Sequence, residues 1–191
     1  MYKIDLRDVF LKGNKIFLKS LNEEDVLYSN WYGWFNDEEL CKTLQKHYFP
    51  SSTSSQKLFW EENIRNSDKK LQLGICDIAE NTLIGIVSLN NIDYINRKCE
   101  FSIVIGEKRF QNVVNFVEST NLILNHAFNS LNMNKVYGGS ISKELVHLMT
   151  RVLGFKGEGV ARQEIYKNGL YHDCYLYSIL KGEFKSLNYD K

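Results

Sequence analysis

The spacing of apolar residues changes repeatedly along this chain, and each change predicts a different kind of element. "KIFLKSL" (15–21) alternates as a strand does, and "NEEDVLYSNWYGWFNDEELCKTL" (22–44) reads as helix in two pieces, broken near Gly33 to Asp37. Pro50 is the only proline; with the following "SSTSS" it marks a loop that offers an N-cap. In "SSQKLFWEENIRNS", Leu58, Phe59 and Ile64 fall near one helical face. The period then drops to two. "KLQLGICDIAE", "TLIGIVSLNNIDY" and "KCEFSIVIG" are successive strands with short polar connections, a meander. Helical spacing returns from Phe116 through Val117, Thr120, Leu124, Ala127 and Leu131. A short strand "KVYGGSI" follows, then a helix "ELVHLMTRVLG" stopped by Gly154. Last come two strands, "QEIYKNGLYHDCYLYSIL", around Asn168-Gly169, a preferred type I′ hairpin turn. This order predicts a single α/β domain over residues 1–191. Its central sheet is mixed and mostly antiparallel, flanked by helices, parallel only where a helix lies between central strands, and closed by a C-terminal β-hairpin.

Charge and composition narrow the function classes. The chain has 191 residues with 24 basic and 23 acidic side chains, so bulk charge offers no attraction for nucleic acid. No apolar run approaches the roughly 20 residues that span a bilayer, and "MYKIDLRDVFLKG" is charged throughout, unlike a signal peptide. The expectation is a cytoplasmic protein, monomer or homodimer, with neither membrane nor nucleic-acid partner. Cys41, Cys76, Cys99 and Cys174 lack CxxC spacing and sit in apolar or strand-like runs, as buried free thiols do. The four histidines are dispersed with no ligand-like spacing, so no metal site is expected.

The stretch "GEKRFQNVVNFVEST" (106–120) carries the candidate chemistry. It joins a strand to a helix, and a helix start offers unpaired N–H groups and a positive dipole end to a phosphate. Such loops are usually glycine-rich, because glycine accepts positive φ and lets a pyrophosphate approach the backbone. Here Val113, Val114 and Phe116 stand where small residues are expected.

Several segments together resemble the GNAT superfamily of acyl-CoA-dependent N-acyltransferases. They resemble most the branch that acetylates ribosomal-protein N-termini, polyamines and amino sugars. The likeness runs from about residue 16 to 184. It is carried by "WFNDEEL", "IGIVSLNNIDYINRKCEFSIVIGEKRF", "AFNSLNMNKVYGG" and "LGFKGEGVARQEIYKNGLYHDCYLYSIL". The family's acetyl-CoA loop, Gln/Arg-x-x-Gly-x-Gly/Ala, aligns with Gln111, Asn112, Val113, Val114, Asn115 and Phe116, keeping the Gln and losing both small positions.

The resemblance implies acetyl-CoA as co-substrate and a small-molecule or peptide amine as acceptor. Main-chain groups of Ile103, Val104 and Ile105 would pair with the pantetheine arm. Residues 111–116, with Val117 behind them, would face the phosphates, and Arg109 and Gln111 could reach them. Lys143 aligns with a cofactor-touching Asn, and Thr150 with a Tyr that protonates the leaving thiolate. Glu100 aligns with a glutamate beside the substrate amine; its alternative is a cross-strand partner for Arg97 or Lys98. Trp34, Phe35 and Asn36 would wall the acceptor site, or simply pack the core. Asp93 could select the acceptor, or serve an exposed hairpin. Two functions stay open: an N-acetyltransferase acting on an amino-sugar nucleotide, a polyamine or a protein N-terminus, and a GNAT-fold binding or assembly module without transfer activity.

Overall fold

In the computed structural model, residues 4–187 are described, and they build around one eight-stranded sheet. The strands are β1 (Val9–Lys12), β2 (Ile16–Ser20), β3 (Leu71–Asp77), β4 (Thr82–Asp93), β5 (Lys98–Ile105), β6 (Lys135–Ser140), β7 (Lys156–Lys167) and β8 (Leu170–Leu180). Their order is β1-β2-β3-β4-β5-β6-β8-β7, and every neighbouring pair is antiparallel except β5 and β6. The helices are α1 (Glu23–Tyr28), α2 (Trp31–Trp34), α3 (Thr53–Asn63), α4 (Val113–Asn125) and α5 (Lys143–Arg151).

Alternation in β3 to β5 divides the sheet into two faces. On one face Leu73, Val87, Leu89, Phe101 and Ile105 pack with Ile123, Leu124 and Phe128 from α4 and the turn after it, and with Met149 of α5. On the other, Ile86 and Val104 pack toward Trp31, Trp34, Phe35 and Trp60 from the α1–α3 region. The parallel pairing is where the helix-flanked strands were expected to have it, with α4 between β5 and β6. Asn168 (φ 51°) and Gly169 (φ 82°) both take the positive φ of a type I′ turn and join β7 to β8. All four cysteines are buried and free.

The differences from expectation have local causes. β1 was not foreseen; it is a short edge strand with a register shift between Val9 and Leu11. The helical reading of 22–44 holds only to Trp34. Beyond it the Asp37 carboxylate accepts from the Leu40 backbone N–H, a local bond that competes with helix. The central helix starts at Val113 rather than Phe116, because the Asn112 side chain accepts from the Asn115 N–H and caps it. β7 is longer than the hairpin pattern implied, starting at Lys156 with irregular register at Gly157/Gly159 and Ala161/Ile165. The Asp173 carboxylate accepts from the Gln163 N–H there.

β2 carries a fully buried lysine. Lys19 lies 2.6 Å from the Asp25 carboxylate and 3.4 Å from Asp8. Asp25 also accepts from the Asn22 N–H, so one carboxylate both neutralises Lys19 and closes the capping box of α1.

Candidate active site

β5 and β6 pair only at Lys98–Lys135, Cys99–Val136 and Glu100–Tyr137. Beyond Glu100, β5 stays with β4 up to Ile105, whereas Gly138, Gly139 and Ser140 stay with β8. The strands diverge, and the backbone of residues 101–105 has no strand partner on the β6 side. A cleft of about 750 Å³ occupies this notch and opens over the α1–α3 face. A second, about 470 Å³, continues past Ile103–Ile105 to Gln111, Asn112, Val113 and Phe116.

Registry explains the floor of the first cleft. Gln72, Ser88 and Ser102 face one another across β3, β4 and β5, and Asn90 faces Glu100 in the next row. Cross-strand partners share a face, so these side chains form a polar floor beside apolar walls. Glu100 sits where the strands part. Its carboxylate accepts from Asn91 Nδ2 at 2.8 Å, and not from Arg97 or Lys98. Arg97 instead donates to the Asn132 carbonyl and side chain.

The loop ahead of α4 is built without positive φ; none of residues 111–116 adopts it. Valine therefore fits where glycine was expected. Val113 and Val114 are largely exposed, and as the first helical residues they leave N–H groups without intrahelical partners. Phe116 is partly buried against the core cluster and forms one wall of the second cleft without closing it. Gln111 donates to the Ile105 carbonyl at 3.0 Å, tying the loop to the end of β5. The Asn115 side chain is buried and donates to the Phe110 carbonyl.

Other sequence candidates lie elsewhere. Thr150 donates its hydroxyl to the carbonyls of Val146 and His147 on its own helix and does not line the cleft. Lys143 is exposed, its ammonium 5.7 Å from the Tyr175 ring centroid. Arg109 pairs with Glu80 at 2.6 Å and lies over the Phe110 ring. Trp34 is buried, donates from Nε1 to Glu107 at 2.9 Å, and lies where any side chain on Gly106 would have to go. Asn36 exchanges hydrogen bonds with the Ser51 backbone. Asp93 accepts from the N–H groups of Ile95 and Asn96, holding the β4–β5 turn. Val114, Asn115 and Val117 do not line either cleft. Of the expected acceptor walls, Phe35 alone reaches the first cleft.

Residues that sequence reasoning missed also line the site. Tyr177 of β8 is 3% exposed, and burial pushes its phenol well above the usual range, so it stays protonated. Lys108 lines the second cleft and pairs with Asp37 at 2.8 Å, which holds that carboxyl low. Lys46, Gln56, Lys70 and Gln72 line the first. The parity of Lys70, Gln72, Ser88, Asn90, Glu100 and Ser102 along the strands was the available signal.

Comparison with known proteins decides the family. The domain family described as "Acetyltransferase (GNAT) domain" matches residues 15–143. The chain belongs to the GNAT acetyltransferase family. A spermidine N(1)-acetyltransferase of Vibrio cholerae is 26% identical over 181 residues, covering 91% of each chain. A putative ribosomal N-acetyltransferase of Bacillus subtilis, YdaF, is 33% identical over 109 residues, 56% of this chain and 59% of that protein. Among solved structures, the Vibrio cholerae spermidine N-acetyltransferase in complex with CoA and spermine superposes with a TM-score of 0.79 at 25% identity, covering 88% of this chain and 97% of that one. This acetyltransferase therefore transfers an acetyl group to an amine with acetyl-CoA as co-substrate. The notch between β5 and β6 is its candidate active site.

Proposed function

We propose that this acetyltransferase holds acetyl-CoA along the open edge of β5, with its phosphates at the start of α4 and its acetyl group beside Glu100. The observation that carries this reading is the continuity of the groove. One unpaired strand edge leads from a carboxylate at Glu100 to the unpartnered amide of Val113 at the start of α4. These residues fit the co-substrate: main-chain N–H and C=O groups of Ile103 to Ile105 suit an extended amide-bearing arm added like a strand. The helix start and Lys108 suit phosphate, and no step in the loop requires glycine. Bound acetyl-CoA supplies an activated carbonyl: the amine nitrogen bonds to its carbon as the carbon–sulfur bond breaks, one proton leaving the amine and one returning to sulfur.

The chain's own residues divide the remaining work. Glu100, fixed by Asn91, receives the proton from the incoming ammonium directly or through one water. A backbone N–H of β5 polarises the carbonyl. Of the two phenols lining the cleft, Tyr48 donates to the Tyr166 carbonyl, which leaves the protonated Tyr177 hydroxyl as the candidate donor to the leaving sulfur, a role Thr150 cannot take with its hydroxyl bound to its own helix. The acceptor is a primary amine on a small molecule or peptide. The near-neutral chain fits a cytoplasmic enzyme without a nucleic-acid partner.

Glu100→Gln tests the assignment, because it keeps the acceptor of the Asn91 bond and removes the base. Turnover should fall about 10²- to 10⁴-fold, while calorimetry should give an unchanged affinity for acetyl-CoA. Loss of affinity with unchanged turnover per bound complex would remove Glu100 from the chemistry.

A further inference from the structure

The acceptor half of the cleft is furnished with hydrogen-bond donors. Gln56 and Gln72 line it, each 5% exposed, and the side-chain nitrogen of each has no partner among the described residues. An unpartnered buried amide is costly unless a ligand satisfies it. Lys70 and Lys46 line the same space. Their ammoniums lie 4.7 Å and 5.7 Å from the centroid of one ring, Phe59, so the two cations are no farther apart than those distances together allow. Neither forms an ion pair with any described residue. Burial, and then repulsion from Lys46, hold the Lys70 ammonium below the usual lysine range, against a smaller opposing pull from the Glu100 carboxylate. The first turn of α3 brings its dipole to the same place, since Ser51, Ser55 and Gln56 line the cleft.

These groups are held in position. The Lys46 carbonyl accepts from the buried Lys167 ammonium at 2.5 Å, and Tyr48 donates to the Tyr166 carbonyl at 2.8 Å, so β7 anchors the segment that presents Lys46. His47 is anchored too, its Nδ1 3.1 Å from the Phe35 carbonyl oxygen. Lys70 directly precedes β3, next to the Leu71–Leu89 pair, and lines the cleft with Asn90 and its cross-strand partner Glu100. β3 and β5 are two strand spacings apart, roughly 10 Å.

We infer that the acceptor amine carries an anionic group, a phosphate or a carboxylate, which Lys46, Lys70, Gln56 and Gln72 bind while the amine sits at Glu100. This rests on the proposed role of Glu100. The carboxylate and the donor cluster then bracket a zwitterionic molecule from opposite ends. A polyamine fits poorly: every charge it carries is positive, and the charged side chains lining the first cleft are two lysines against one glutamate, with His47 beside them.

The test is binding of four amines to the full chain without acetyl-CoA, by calorimetry: glucosamine 6-phosphate, serine, glucosamine and spermidine. One of the two anion-bearing amines should bind at least tenfold tighter than glucosamine and spermidine; the winner tells phosphate from carboxylate. Lys70→Gln should weaken that amine about 10- to 100-fold and glucosamine less than about threefold, with acetyl-CoA affinity unchanged as the measure of intact folding. Spermidine binding as tightly as the anion-bearing amines, neither of these exceeding glucosamine, or equal weakening of all four by Lys70→Gln would each overturn the inference. Failure of the Glu100 assignment reads differently: the amines keep their order of affinity, but Glu100→Gln leaves turnover intact.

Discussion

Installing glycines in the loop before α4 should damage this protein rather than improve it. The double variant Val114→Gly, Phe116→Gly restores the small residues of the family's loop. Here, however, residues 111–116 use no positive φ, and both positions lie within the first turn of α4. Val114 is half exposed, so its loss costs mainly helix propensity, about 0.3 kcal/mol. Phe116 is partly buried against the core; removing half the contact of a buried phenylalanine costs about 2 kcal/mol, and the added backbone freedom about 0.5 more. The sum, about 3 kcal/mol, is a large share of the roughly 5–15 kcal/mol that stabilises a typical domain. It should lower Tm by about 6–12 °C for a chain of this size. Urea titration and calorimetry with acetyl-CoA check both halves. Acetyl-CoA affinity should stay equal or fall. A variant as stable as the parent that binds acetyl-CoA tenfold tighter would refute the argument that this loop grips phosphate without glycine.

Tyr177→Phe keeps the edge-on contact with Phe155, so thermal stability should hold while turnover drops about 10²-fold if this phenol protonates the leaving sulfur; unchanged turnover counts against it. Gly106→Ala drives a methyl into the Trp34 ring and should cost about 1–3 kcal/mol, visible as a lower urea midpoint. Burial pushes the Cys99 thiol up to about 12. Below about pH 8.5 the thiol is protonated in both folded and unfolded chains, and above it only the unfolded chain releases the proton. Stability from this group should therefore decline by about 2 kcal/mol by pH 10 and continue falling toward pH 12. Cys99→Ala should flatten that alkaline slope in urea midpoints measured across pH.

How much could be read beforehand depended on the range of the forces involved. β3, β4 and β5 announce themselves because period-two alternation is written in consecutive residues, and the Asn168-Gly169 turn because its backbone demands those residue types. Glu100 and the β5 edge came instead from the family resemblance, which locates residues by alignment; the strand that carries them is the part that local alternation wrote. The segment after Trp34 was misread because polar side chains there bond to the backbone instead of extending the helix: Asp37 accepts from the Leu40 N–H, and Asn36 bonds the distant Ser51 backbone. Thr150 and Lys143 were named by alignment with the family's Tyr and Asn, and alignment along a helix does not specify where a hydroxyl or ammonium ends up. Tyr177 escaped notice because a tyrosine in an alternating strand looks like any core aromatic until the strands beside it part.

An unpaired strand edge in the middle of a sheet would ordinarily invite another protein's strand, with aggregation as the result. In this molecule the edge of residues 101–105 is recessed, with β6 and α5 standing opposite it. A whole sheet is too broad to enter such a slot, whereas a single slender chain of amides is not. The same geometry thus screens visitors by width, leaving hydrogen-bonding capacity open to a narrow guest and closed to a folded neighbour.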